Sequence, residues 1–181
     1  MAQTKIRGSS VIERLGRMDV DFIDVTVTAD VDNAGTSAAG DLLFKVTEIP
    51  YAVSQDGGRA ILQSCCMIVD EAVTGAVDIV ITSDATALIG DSSAGDTSAT
   101  ETGDTAAGIT SALAVMDGTC GFFSITNAFD AGVVSIGDKK NIGMVCKAVS
   151  GSTSLYVWGI QQSSADYAES PIVLRLGFIK D

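Results

Sequence analysis

The chain has no histidine, and that removes most of the chemistry a soluble enzyme relies on. There is no imidazole base, no Ser-His-Asp triad and no His metal ligand. Carboxylate pairs of the kind glycosidases use remain open. The Asp residues, however, fall mostly at turns, where local hydrogen bonding favours them. Calcium is the stronger acidic reading. Asp30, Asp32, Gly35 and Asp41 stand at positions 1, 3, 6 and 12 of an EF-hand-like spacing. Against it, position 5 is Ala34, the last ligand is Asp41 rather than Glu, and strands flank the loop. Asp91, Asp96 and Glu101 add carboxylates with no defining pattern. The four cysteines, Cys65, Cys66, Cys120 and Cys146, lack the two-to-four-residue spacing of a zinc site. Cys65 and Cys66 are adjacent and on a strand face opposite ways. All four are expected to be reduced and mostly buried, packing as small apolar groups in a reducing compartment. No P-loop and no dinucleotide-binding glycine pattern is present. No catalytic residue, metal or cofactor is expected.

Charge is the most informative pattern left. Residues 1–17 hold Lys5, Arg7, Arg14 and Arg17 against Glu13 alone. Residues 18–138 hold nineteen carboxylates against Lys45 and Arg59, and the whole chain carries a net charge of −12. This balance disfavours nucleic-acid binding, which is built on Lys and Arg. It predicts instead a cationic N-terminal arm that reaches for an acidic protein surface. Val11, Ile12 and Leu15 form one apolar face of that arm, beside Arg14 and Arg17.

The elements behind this arm are strands. The chain is 181 residues long, 46% hydrophobic and 19% charged, less charged than the roughly 25% of an average domain. That is enough to bury a core without a metal or disulfide. One β domain is expected over residues 18–181. The first strand runs from Val20 to Ala29, with a bulge near Ile23–Asp24 where the alternation shifts phase. The next is Leu42 to Val46, closed before Pro50. After the Asp56-Gly57-Gly58 turn, Arg59 to Val69 reads as a central strand. Val77 to Thr82 is rich in β-branched residues. Gly121 to Thr126, Gly132 to Ile136, Asn141 to Val149, Ser154 to Gln161 and Ile172 to Ile179 follow at regular spacing. Residues 83–108 are small, polar and acidic, and read as a long excursion. Ile109 to Met116 leans towards helix. Eight or nine strands at this spacing predict an all-β sandwich or barrel. No tandem repeat, signal peptide or membrane span is expected.

Two further sets of residues invite a role in contacts. Tyr156 and Trp158 share one face of their strand. Trp158, the only Trp, either anchors a subunit interface or packs in the core. Arg175, amid Val173, Leu174 and Leu176, is expected on an outer face, paired with an acidic neighbour across an interface.

The C-terminal part also carries a resemblance. Lys140-Asn141-Ile142-Gly143-Met144-Val145-Cys146-Lys147-Ala148 leads into Leu155-Tyr156-Val157-Trp158-Gly159-Ile160. Then come Ala165-Asp166-Tyr167-Ala168 and Ile172-Val173-Leu174-Arg175-Leu176-Gly177-Phe178-Ile179-Lys180-Asp181. This order, over roughly residues 110–181, resembles small structural proteins of tailed bacteriophages, especially those of marine bacteria and cyanobacteria. The resemblance implies a capsid cement, or decoration, protein. Such a protein is expected to be jelly-roll-like and homotrimeric. It would bind the major capsid protein on the outside of the virion head after assembly in the host cytoplasm, without membrane or nucleic acid. A tail or head-fibre component is the alternative within a virion. A carbohydrate-binding β-sandwich is the alternative outside one.

Overall fold

The computed structural model describes residues 20–29, 42–84, 118–127, 129–130, 132–163, 165, 167 and 171–180. The N-terminal arm, the calcium-like loop, the acidic excursion beyond Asp84 and the helix expected at Ile109 to Met116 lie outside these residues.

The described residues form strands β1 (Val20–Thr28), β2 (Leu42–Ile49), β3 (Arg59–Val69), β4 (Ala76–Thr82), β5 (Thr119–Thr126), β6 (Phe129–Asp130), β7 (Ser135–Lys147), β8 (Leu155–Gln161) and β9 (Pro171–Lys180). They make two antiparallel sheets, ordered β1-β9-β3-β7-β6 and β2-β8-β4-β5. With the two-residue β6 set aside, the chain switches sheet at every connection except β4 to β5, in the order that defines a jelly roll, two interleaved Greek keys. The all-β, jelly-roll-like expectation is therefore met.

Alternation drives the packing. In β3, Ala60, Leu62, Cys65, Met67 and Val69 point inward and are buried, and the register shift between Leu62 and Ser64 accounts for the change of phase. In β9, Ile172, Leu174, Leu176 and Phe178 do the same. The opposing sheet supplies Val77, Ile79, Ile81, Phe123, Ile125, Leu155 and Val157. Each large apolar side chain so buried contributes about 1.5–3 kcal/mol relative to exposure. Gly159 of β8 is required by packing. A Cβ there would overlap the ring of Phe44, which is fully buried.

Two local expectations are corrected. β1 pairs with β9 residue by residue from Val20 to Thr28, with no bulge at Ile23–Asp24. The apparent phase shift arose because Phe22 is apolar yet faces outward, 62% exposed, with its ring over Gly177. The strands expected at Gly132 to Ile136 and Asn141 to Val149 are one strand, β7. Its polar middle, Asp138 to Lys140, is exposed but stays in the ladder with β3. A register shift there coincides with positive φ at Asn141 and Gly143.

The registers place Val20, Arg59, Lys147 and Lys180 at one end of the first sheet. Ile49, Thr82 and Leu155 share an end of the second. The 50–58 and 148–154 loops cap this common end and bind each other. Val53 N–H donates to the Thr153 carbonyl at 3.1 Å, Gly57 N–H to Ser152 at 2.9 Å, and Ala148 N–H to Gly58 at 3.1 Å. Gly57 takes the positive φ expected of the Asp56-Gly57-Gly58 turn. Ser83 N–H reaches the Gly118 carbonyl at 2.7 Å, so the residues flanking the 85–117 segment are tied together here.

Candidate interaction surfaces

The outer face of the first sheet is built in rows by its registers. Asp24, Arg175, Cys66 and Asp138 lie side by side across β1, β9, β3 and β7. Arg175 is exposed, as expected, but its acidic partner is in its own chain. It donates from Nε and Nη2 to the two carboxylate oxygens of Asp24, both at 2.8 Å. This bidentate pair, through its hydrogen bonds first, holds the Asp24 carboxyl below its ordinary range. Lys140 and Asp138 add an ion pair at 2.9 Å, and Lys180 and Asp21 another at 3.1 Å. Nearer the capped end, Val20, Ile179, Ile61 and Val145 form an apolar row. Val145 is 61% exposed. Charged and apolar rows thus alternate across one face.

The outer face of the second sheet carries Tyr156, Trp158 and Ile160 from β8. Tyr156 is half-buried. Trp158 does share its face, but it is only 2% exposed and lies beside its ladder partner Val80, itself nearly buried. Of the two readings of Trp158, subunit anchor or core packing, its burial within the single chain matches core packing. Its Nε1–H has no hydrogen-bond partner among the described residues. Phe122, the ladder partner of Val80 on β5, is instead the exposed aromatic here, at 67%. Nothing in its sequence surroundings distinguished it, because Phe122 and Phe123 are adjacent and only strand phase decides which is inside.

The arm residues Lys5, Arg7, Val11, Ile12, Arg14, Leu15 and Arg17 lie outside the described residues. Among the described residues, no three His, Cys, Asp or Glu side chains gather as a metal site. No helix among them is long and apolar enough to cross a membrane.

At the capped end, β5 and β7 approach each other from opposite sheets. A Cβ on Gly121 would lie 3.0 Å from Cε of Met144. One residue along on β5 and two along on β7, the Cys146 thiol meets the sulfur of Cys120. The Lys147 backbone N–H donates to the same sulfur. These neighbours hold the Cys120 thiol down to about 7 despite partial burial. The same contact, with burial, pushes the Cys146 thiol up. Cys120 opens onto a cavity of about 430 Å³ lined also by Ser83, Gly118, Val145, Lys147 and Val149. All four cysteines are free thiols, with Cys65 and Cys146 buried and Cys66 and Cys120 half-buried. The sequence separation of Cys120 and Cys146 hid their meeting, which only the jelly-roll crossover creates.

No protein-family model matches the chain, and none of the curated proteins matches it by sequence. Among solved structures, it is similar to a chain of the native virion of Kashmir bee virus at acidic pH. That likeness has 12% identity and a TM-score of 0.31, over 99% of this chain and 79% of that one. A chain of sacbrood virus of honeybee gives 11% identity and a TM-score of 0.31, over 88% and 80%. Desmodium yellow mottle tymovirus gives 13% and 0.27, over 88% and 79%. Likenesses this slight do not carry the fold assignment, which rests on strand order.

Proposed function

We propose that this chain is a structural component of a virus particle, and more finely a cement protein that clamps the outer surface of a tailed-phage head. The observation that carries the reading is the jelly-roll strand order. Viral capsid domains, lectins and cupins share that architecture. A histidine-free chain is a poor cupin, whose work is done at a metal cage. A lectin platform needs aromatic side chains together. Among the described residues, the exposed aromatics are dispersed: Phe22 on one sheet, Phe122 on the other, and Tyr51 in a loop.

The arm fits this reading. It precedes Val20, which stands at the capped end, so contacts made by residues 1–17 reach the domain there. Lys5, Arg7, Arg14 and Arg17 pair with acidic groups of the major capsid protein, while Val11, Ile12 and Leu15 fill a groove. Surface ion pairs give only about 0–1 kcal/mol each, so occupancy depends on buried apolar contact and on avidity within a homotrimer. Tyr156, half-buried, and Arg175, exposed, are the residues we assign to such subunit contacts.

The test is co-sedimentation of purified chain with expanded empty heads, alongside light scattering of the free protein. A trimer that binds heads and raises their disruption temperature is expected. Deletion of residues 1–17 is expected to abolish binding and leave the unfolding transition unchanged. Binding that survives the deletion removes the arm's role. Location on tails or fibres by immunogold labelling replaces the cement reading with the fibre one.

A further inference from the structure

We propose that Cys120 and Cys146 form a closable dithiol, a site of modification by low-molecular-weight disulfides that ends in a covalent staple between the two sheets. The inference does not depend on the virion reading.

The geometry has three parts. First, the two thiols meet, although they belong to strands of different sheets. Second, they are unequal. Cys120 lines the cavity, whereas Cys146 is buried behind it and also lies 3.7 Å from the Met144 carbonyl oxygen. An incoming disulfide therefore meets Cys120 first. Third, Cys120 is the activated sulfur, since the Cys146 thiol and, less strongly, the Lys147 amide beside it favour its thiolate near neutral pH. The other two thiols are protected. Burial pushes Cys65 up, and burial followed by the Asp138 carboxylate pushes Cys66 up.

The chemistry is thiol–disulfide exchange with oxidised glutathione as the class of oxidant. The Cys120 thiolate attacks one glutathione sulfur. That S–S bond breaks, and one glutathione leaves as thiolate. Cys146 then gives up its proton to solvent, and its sulfur attacks the Cys120 sulfur of the mixed disulfide. The second glutathione departs. The protein loses two hydrogens and gains one S–S bond, and one oxidised glutathione becomes two reduced molecules.

The cross-link closes the segment between Cys120 and Cys146, which joins β5 to β7 at an edge where the sheets share no ladder. Constraint of the unfolded chain over a loop of this length raises the Tm by about 6–12 °C.

The test treats the full native chain with oxidised glutathione at pH 7.5, followed by peptide mapping under non-reducing conditions. A single cross-linked peptide containing Cys120 and Cys146 is expected, with Cys65 and Cys66 still alkylatable after unfolding. The higher Tm should revert on adding a reductant. In Cys146→Ser, a stable glutathione adduct is expected on Cys120; in Cys120→Ser, no reaction. Should either variant fail to fold, the wild-type map decides. A cross-link through Cys65 or Cys66, a persistent adduct on wild-type Cys120, or four thiols left unreacted overturns the proposal.

Discussion

The Arg175 guanidinium grips the Asp24 carboxylate across the β1–β9 ladder, with Nε on one oxygen and Nη2 on the other, each at 2.8 Å. The two residues are directly opposed in the register. The pair is exposed, so solvent screens it, and its planar fit does more than its charge. A double-mutant cycle of Asp24→Ala and Arg175→Ala in urea unfolding is expected to give a small favourable coupling that shrinks with added salt. The sign with pH follows from the lowered Asp24 value. The coupling is present above about pH 4, the ordinary Asp range, and is lost as pH falls through the lower folded value. A coupling that grows in acid contradicts this.

Tyr167 is fully buried, its hydroxyl has no hydrogen-bond partner among the described residues, and burial pushes its phenol up to about 12. Tyr167→Phe therefore loses no bond and is expected to be neutral or to stabilise by up to about 1–2 kcal/mol. In alkali the sign is fixed. The unfolded phenol ionises near about 10, while the folded one keeps its proton. Between these values stability falls by about 1.4 kcal/mol per pH unit for this one group. The wild-type chain should lose that much more than Tyr167→Phe over pH 10–12, measured by denaturant titration.

Gly159→Ala places a methyl group against the buried Phe44 ring. Neither backbone nor ring has free space, so about 1–3 kcal/mol of destabilisation is expected. Phe44→Leu in the same chain should recover part of it. Equal costs for the single and double variants would remove this contact as the cause.

Ser135 ties the turn after β3 to β7. Its hydroxyl donates to the Glu71 carbonyl and accepts from the Val73 N–H, both at 2.5 Å. Ser135→Ala leaves the Val73 donor only its longer bond to the Glu71 carbonyl, at 3.1 Å. A loss of about 0.5–1.5 kcal/mol is expected, with faster amide exchange at Val73 as the local signature.

The strands were legible where burial is one-sided. Arg59 to Val69 matched residue for residue, because both of its neighbours are strands and only Gln63 and Ser64 interrupt its apolar run. Legibility failed where solvent reached the ladder. Phe22 and the 138–141 stretch broke the alternation because an exposed face accepts either kind of residue. Arg175 was placed correctly because a cation between apolar neighbours can point only outward. Its partner Asp24 was not foreseen, since β1–β9 pairing is a property of topology. The meeting of Cys120 and Cys146 has the same origin.

The pairing of Val20 with Ile179 has a mechanical consequence. A pull applied between Val20 and Lys180 parts β1 from β9 one bond at a time, as a zip opens, instead of shearing the whole ladder. A load carried in through the leading segment and borne by the face of the sheet avoids that weak direction. Single-molecule stretching should find the molecule soft along its termini and stiff across its strands.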